Sequence, residues 1–177
     1  MGVILITLVI IILFFIVIEF NTFVNLKNKI KQSKSSIDIY LTQRFDLIPN
    51  LVECVKVYMK YEESVFTKIA ELRAEYNNSK DLKKGEQLNS EFNNLLAVGE
   101  SNPDLKASEQ FLNLQKSLIK MESQLQAARR VYNGDVTLYN TTISEFPNNI
   151  FASIFNFKEE ELFEIEEYKK ENIKIDL

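Results

Sequence analysis

The sequence predicts an all-α protein, with an N-terminal transmembrane helix that continues into an antiparallel bundle of four long helices. Three observations carry this. An uncharged apolar run opens the chain at Val3–Ile18. Glycine and proline are scarce, at 4 and 3 of 177 residues, so little breaks a helix after it. Two long stretches then repeat apolar residues alternately every three and four positions, the period of a helix with one buried face.

The apolar run consists of Val3, Ile4, Leu5, Ile6, Leu8, Val9, Ile10, Ile11, Ile12, Leu13, Phe14, Phe15, Ile16, Val17 and Ile18, interrupted only by Thr7. At about 1.5 Å per helical residue, it and its flanks match a hydrocarbon core roughly 30 Å thick. No Lys or Arg precedes it, and its exit, Ile18-Glu19-Phe20-Asn21, is bulky and charged. Both facts weigh against a cleaved signal peptide. Phe20 and Phe23 extend the span as interfacial aromatics. Lys27, Lys29, Lys31 and Lys34 follow it, and positive-inside bias then puts the helical domain in the cytoplasm and the N-terminus outside the cell membrane. Residues 1–20 thus read as the anchor, 21–157 as the bundle and 158–177 as an acidic C-terminal tail.

The first helix is expected to leave the membrane unbroken, with a seam of Phe23, Leu26, Ile30, Ser33, Ile37, Tyr40 and Arg44. A tight corner follows at Arg44–Asn50. Asp46 is a start-signal residue there, and Pro49 suits a first helical turn. A second helix burying Val52, Val55, Met59, Val65, Ile69 and Leu72 runs to about Tyr76, where Asn77-Asn78-Ser79 breaks it. The third carries Leu88, Phe92, Leu95 and Leu96, with Gly99 as its stop and Asn102-Pro103-Asp104 as a loop. The fourth has a seam of Phe111, Leu114, Leu118, Met121, Leu125, Ala128, Tyr132, Val136, Tyr139, Ile143 and Phe146, ended by Pro147. Gly134, inside it, reads as room for a close helix contact or a slight bend. Ile150, Phe151, Ile154, Phe155 and Phe157 share one face of a short helix that either lies at the bilayer interface or caps the base of the bundle. The glutamates from Glu159 to Glu171 read as a solvated helix face.

The chemistry excluded is extensive. The chain has no His and one Cys. That removes His-based acid–base catalysis, multi-thiolate zinc sites and internal disulfides. No phosphate-binding glycine loop occurs, and a net charge of −4 implies no general nucleic-acid affinity. No catalytic, cofactor-binding or metal-binding residue is assigned, and no cofactor is expected. The polar residues with structural or interaction value are Arg44, Asp46, Pro49 and Asn50 at the corner, and Arg129, Arg130, Tyr132, Asn133 and Asn140 on the fourth helix. The arginines are expected to pair with acids or carbonyls of adjacent helices and to cover apolar surface with their stems. Asn133 and Asn140, one heptad apart, are expected to set helix register.

The motifs RFDLIPNLVE at 44–53, NPDLKA at 102–107, FLNLQ at 111–115, AARRVYN at 127–133, VTLYN at 136–140, FP at 146–147 and FNF at 155–157 give the chain a resemblance to the LemA family of bacterial membrane proteins. It covers nearly the whole sequence. Phe45 departs from it, standing where the family commonly has a basic residue or His. The resemblance implies a single N-terminal membrane helix, an antiparallel helical bundle and no established enzyme activity. The expected function is a non-enzymatic, membrane-anchored scaffold at the cytoplasmic face, self-associating as a homo-oligomer in contact with membrane lipid. The alternative is an accessory or regulatory subunit of a membrane protease or other envelope-stress component.

Overall fold

The computed structural model describes residues 1–58 and 63–163, and among them every regular element is a helix. The elements are α1 (Gly2–Phe45), α2 (Ile48–Tyr58), α3 (Glu63–Ser79), α4 (Leu82–Ser101), α5 (Pro103–Ala107), α6 (Glu109–Ser144) and α7 (Asn148–Ile154). The N-terminal apolar helix continues into a helical bundle, with no break between Gly2 and Phe45. The chain forms two compact units. One comprises Met1–Lys34 with Arg129 onward, and the other Ser35–Ala128.

The Ser35–Ala128 unit is a packed helical core. Ile37, Leu41 and Phe45 of α1 are buried, as are Leu51 and Val55 of α2, Ile69 and Tyr76 of α3, and Leu88, Phe92 and Leu95 of α4. Residues 46–47 form the corner, with the Asp46 amide donating to Thr42 O at 2.9 Å and Pro49 in the first turn of α2. The Asp46 carboxylate accepts from Arg73 Nη2 of α3 at 2.9 Å. Met59 lies outside the described residues, and Val52, Val65 and Leu72 are only half-buried. The fully covered positions of this stretch are Leu51, Val55, Phe66, Ile69 and Tyr76. Lys80, with φ of 50°, and Asp81 turn α3 into α4, and Asp81 Oδ1 caps α4 by accepting from the Lys83 amide. Ion pairs Glu75–Lys84 and Lys68–Glu91 step outward from this turn, so α3 and α4 run antiparallel.

Two expectations are corrected here, and of the two readings of Gly134 the close contact falls away. Gly99 is a buried residue inside α4, not a left-handed stop, and a Cβ on it would lie 3.0 Å from the Phe111 ring. Its absence of side chain lets α6 approach α4. Asn102 is a cap rather than mid-loop, its Oδ1 accepting from the Asp104 and Leu105 amides to start α5. Gly134 faces open space, so no close contact requires it.

In the other unit, Phe23, Leu26 and Ile30 of α1 are buried, as are Tyr132, Val136, Tyr139 and Ile143 of α6. Phe146, expected to close the seam, is 82% exposed, because α6 ends at Ser144 before its face can be covered. Every large apolar side chain of the first 15 residues is exposed, as suits a helix long and apolar enough to cross a membrane.

Candidate functional site

The fourth long helix carries a repeated pair, Tyr132-Asn133 and Tyr139-Asn140, one heptad apart. Seven helical residues rise about 10.5 Å and return the same face to the same side. The segment 158–163 lies along that face without helical or strand hydrogen bonding of its own. Asn140 Nδ2 donates to Glu160 O at 2.8 Å while the Glu160 amide donates to Asn140 Oδ1 at 3.0 Å. Asn133 repeats the pattern on Phe163, at 3.0 Å to its carbonyl and 2.8 Å from its amide. Tyr139 Oη donates to Lys158 O at 2.9 Å and Tyr132 Oη to Glu161 O at 3.0 Å.

This geometry has a simple cause. A carboxamide holds a donor and an acceptor side by side, so it can pair with one residue's N–H and C=O. The two residues so paired are three apart, the period of a polyproline II-type ribbon rather than the two of a β-strand. Three such residues advance about 9–10 Å, close to one helical heptad. The α6 heptad and the strap triplet therefore stay in register, and the strap runs antiparallel to α6.

All six hydrogen bonds fall on strap backbone atoms, so they read no side chain. Three further contacts do, the weakest being Ser144 Oγ donating to Glu159 Oε1 at 3.5 Å. Lys27 Nζ of α1 pairs with Glu160 Oε1 at 3.2 Å, and the Arg129 guanidinium stands 4.9 Å from the centre of the Phe163 ring.

Burial and the neighbouring glutamates push the pKa of both tyrosines above the ordinary tyrosine value, with desolvation the larger cause in each. Both hydroxyls therefore remain donors through neutral pH.

At its start the strap is tied to α1. The Asn156 amide donates to Ser153 O at 3.3 Å and the Phe157 amide to Ala152 O at 2.9 Å, with Asn156 at φ 58°. This is the left-handed cap that ends α7. It seats Phe157 against Phe20 and Phe23, with ring centres 5.8 and 5.2 Å away. Phe155 meets Phe20 at 5.1 Å and Phe151 meets Phe15 at 5.8 Å. Ile150 and Ile154 of the same short helix stay exposed.

The corner residues lie in the Ser35–Ala128 unit. Arg44 is buried, donates to Asn93 Oδ1 at 2.6 Å, pairs with Glu122 and stands 5.5 Å from the centre of the Phe92 ring. Asn50 is exposed and borders a cavity of about 460 Å³ with Leu47, Cys54, Tyr58, Asn113 and Ser117 among its walls. Desolvation and then Glu53 push the Cys54 thiol above its ordinary value, which lowers its reactivity.

Of the polar residues marked in the sequence of this helix, Arg129, Tyr132, Asn133 and Asn140 all meet the strap, and Arg130 is exposed. Two readings change. The asparagines pin an extended backbone instead of setting helix register. The acidic stretch at Glu159–Glu161 is part of that extended strap and not a helix face, since its backbone bonds to α6 rather than to itself. Glu164, Glu166, Glu167 and Glu171 lie outside the described residues. Tyr139 was assigned only to the seam. The signal that marks it is the Tyr-Asn pair recurring after seven residues.

Curated relatives align over most of the chain. Magnetosome protein MamQ 2 of Paramagnetospirillum magneticum is 25% identical over 84% of this chain and 66% of its own length. Magnetosome protein MamQ of Magnetospirillum gryphiswaldense is 23% identical over 84% of this chain and 65% of its own. The chain thus spans just under two thirds of the MamQ proteins it matches. Protein LemA of Metamycoplasma hominis is 23% identical over 83% of this chain and 69% of its own length. The LemA family model matches residues 33–177, a stretch that holds the corner, the long sixth helix and the strap-gripping Tyr-Asn pairs, and this chain belongs to the LemA family.

Proposed function

We propose that this protein is a non-enzymatic scaffold anchored in the cell membrane by the first part of α1, with its helical domain on the cytoplasmic side and with copies associating laterally. The observation that carries the reading is the aromatic stack of Phe151, Phe155 and Phe157 on Phe15, Phe20 and Phe23. It gathers α7 against α1 at the point where the exposed apolar surface gives way to a buried seam. Aromatic side chains favour that depth of a bilayer, since their rings suit both apolar and polar surroundings. Ile150 and Ile154, exposed beside them, then rest on lipid. Among the described residues no group of three or more His, Cys, Asp or Glu is arranged to hold a metal. Long helices also offer lateral surface for association.

The test is the mass of full-length protein reconstituted in lipid nanodiscs. A defined oligomer is expected, and a monomer at every loading contradicts self-association. Protease added to the cytoplasmic face alone should cleave the helical domain. Recovery with a stoichiometric membrane protease would instead favour the accessory-subunit reading.

A further inference from the structure

We infer that the Tyr-Asn clamp on α6 is a binding site for extended polypeptide, and that in the assembled protein it receives the 158–163 strap of a second copy. The inference rests on the self-association proposed above and names the link between copies.

The clamp does not distinguish its own strap from another. Its six hydrogen bonds address backbone atoms, which any extended chain supplies. Side-chain contacts give it selectivity, chiefly an acid opposite Lys27 and, three residues on, an aromatic ring opposite Arg129, with Ser144 Oγ also donating to Glu159 Oε1 at 3.5 Å. A second copy carries both at the same spacing, so it fits the clamp as well as the chain's own segment does.

The strap also has a single pivot. It leaves α7 through Asn156, whose φ of 58° folds the following residues back toward α1 and α6. Asparagine tolerates this conformation but does not require it. Rotation of Asn156 to an extended conformation would carry the strap away from its own α6 and leave the clamp open. Exchange conserves the contacts between strap and clamp and gives up only the turn bonds of the Asn156 and Phe157 amides to Ser153 O and Ala152 O, so it needs no new surface; such reciprocal exchange is a low-cost route to assembly.

The experiment uses the full chain in lipid vesicles with Cys54 left in place. One population carries a photo-crosslinking benzophenone side chain at position 163 and a short tag, and the other is unmodified with a longer tag. After mixing and irradiation, adducts between the two tags that map to the 129–133 stretch of α6 are expected. Asn156→Pro excludes the positive φ and should raise the interchain share about threefold or more, whereas Asn156→Gly, which favours it, should lower that share. Assembled protein with adducts confined to single chains overturns the exchange and leaves the scaffold standing. Protein that stays monomeric by light scattering removes both. An interchain share unmoved by either Asn156 variant also counts against the strap as the link.

Discussion

The two units of this protein bury their polar groups in opposite ways. Around Arg44 the Ser35–Ala128 unit pairs side chain with side chain, in a pocket closed by Phe92 and buried apolar residues. Around Asn133 and Asn140 the other unit pairs side chain with backbone, on a strap that keeps half-exposed edges. The first arrangement belongs to a buried core, in which losing a partner leaves a buried charge. The second joins a partly exposed segment to one helix face, and the expectation is that it opens while the helices beneath it stay formed.

The largest expected effect tests the core side of this contrast. Glu122→Ala takes the carboxylate partner from the buried Arg44 guanidinium, leaving it Asn93 and the Phe92 ring, and should cost about 3 kcal/mol of global stability, at the low end for a broken buried pair because Glu122 is one-third exposed. Chemical denaturation of the whole domain measures it. A loss below about 1 kcal/mol would place Arg44 among ordinary surface pairs.

Next comes the strap. Asn140→Ala removes both bonds to Glu160 and should weaken strap docking by about 1–3 kcal/mol. Hydrogen exchange of the Glu160 and Phe163 amides should accelerate while the midpoint of global unfolding barely moves. A large drop in that midpoint would show the strap to be part of the core.

Two glycines sharpen the comparison further. A Cβ at Gly85 would sit 2.9 Å from the buried Tyr76 ring, so Gly85→Ala should destabilise by about 1–2 kcal/mol despite the gain in helix propensity. Gly134→Ala meets nothing and should stabilise α6 by about 0.5–1 kcal/mol. Thermal melts of the two variants should move in opposite directions.

The smallest effect is one of pH. Tyr132 and Tyr139 are harder to ionise when the strap is docked, so their contribution is whole below the ordinary tyrosine value and is lost as pH rises through the shifted ones. Strap protection should be flat between neutral pH and about 9, then fall above about 10. Loss beginning near neutrality would rule out the tyrosines as the titrating donors.

Much of the bundle was legible because burial leaves a period. Phe23, Ile30 and Ile37, and Phe111, Leu118, Leu125 and Tyr132, recur with the helix and are buried. The corner at Asp46-Leu47 was equally open, since Pro49 permits few placements within a helix. Gly99 was misread because a buried helical glycine and a stop look alike until Phe111 is seen against it. Phe146 failed as a seam residue because periodicity cannot tell where neighbours end.

By itself the sequence determined that this is a helical protein with a lipid-compatible first span, because hydrophobic period and helix breakers are local properties of the chain. Only the tertiary structure decided what Asn133 and Asn140 hold. Their partners are backbone groups 20 and 30 residues away, and a backbone group leaves no mark in the sequence.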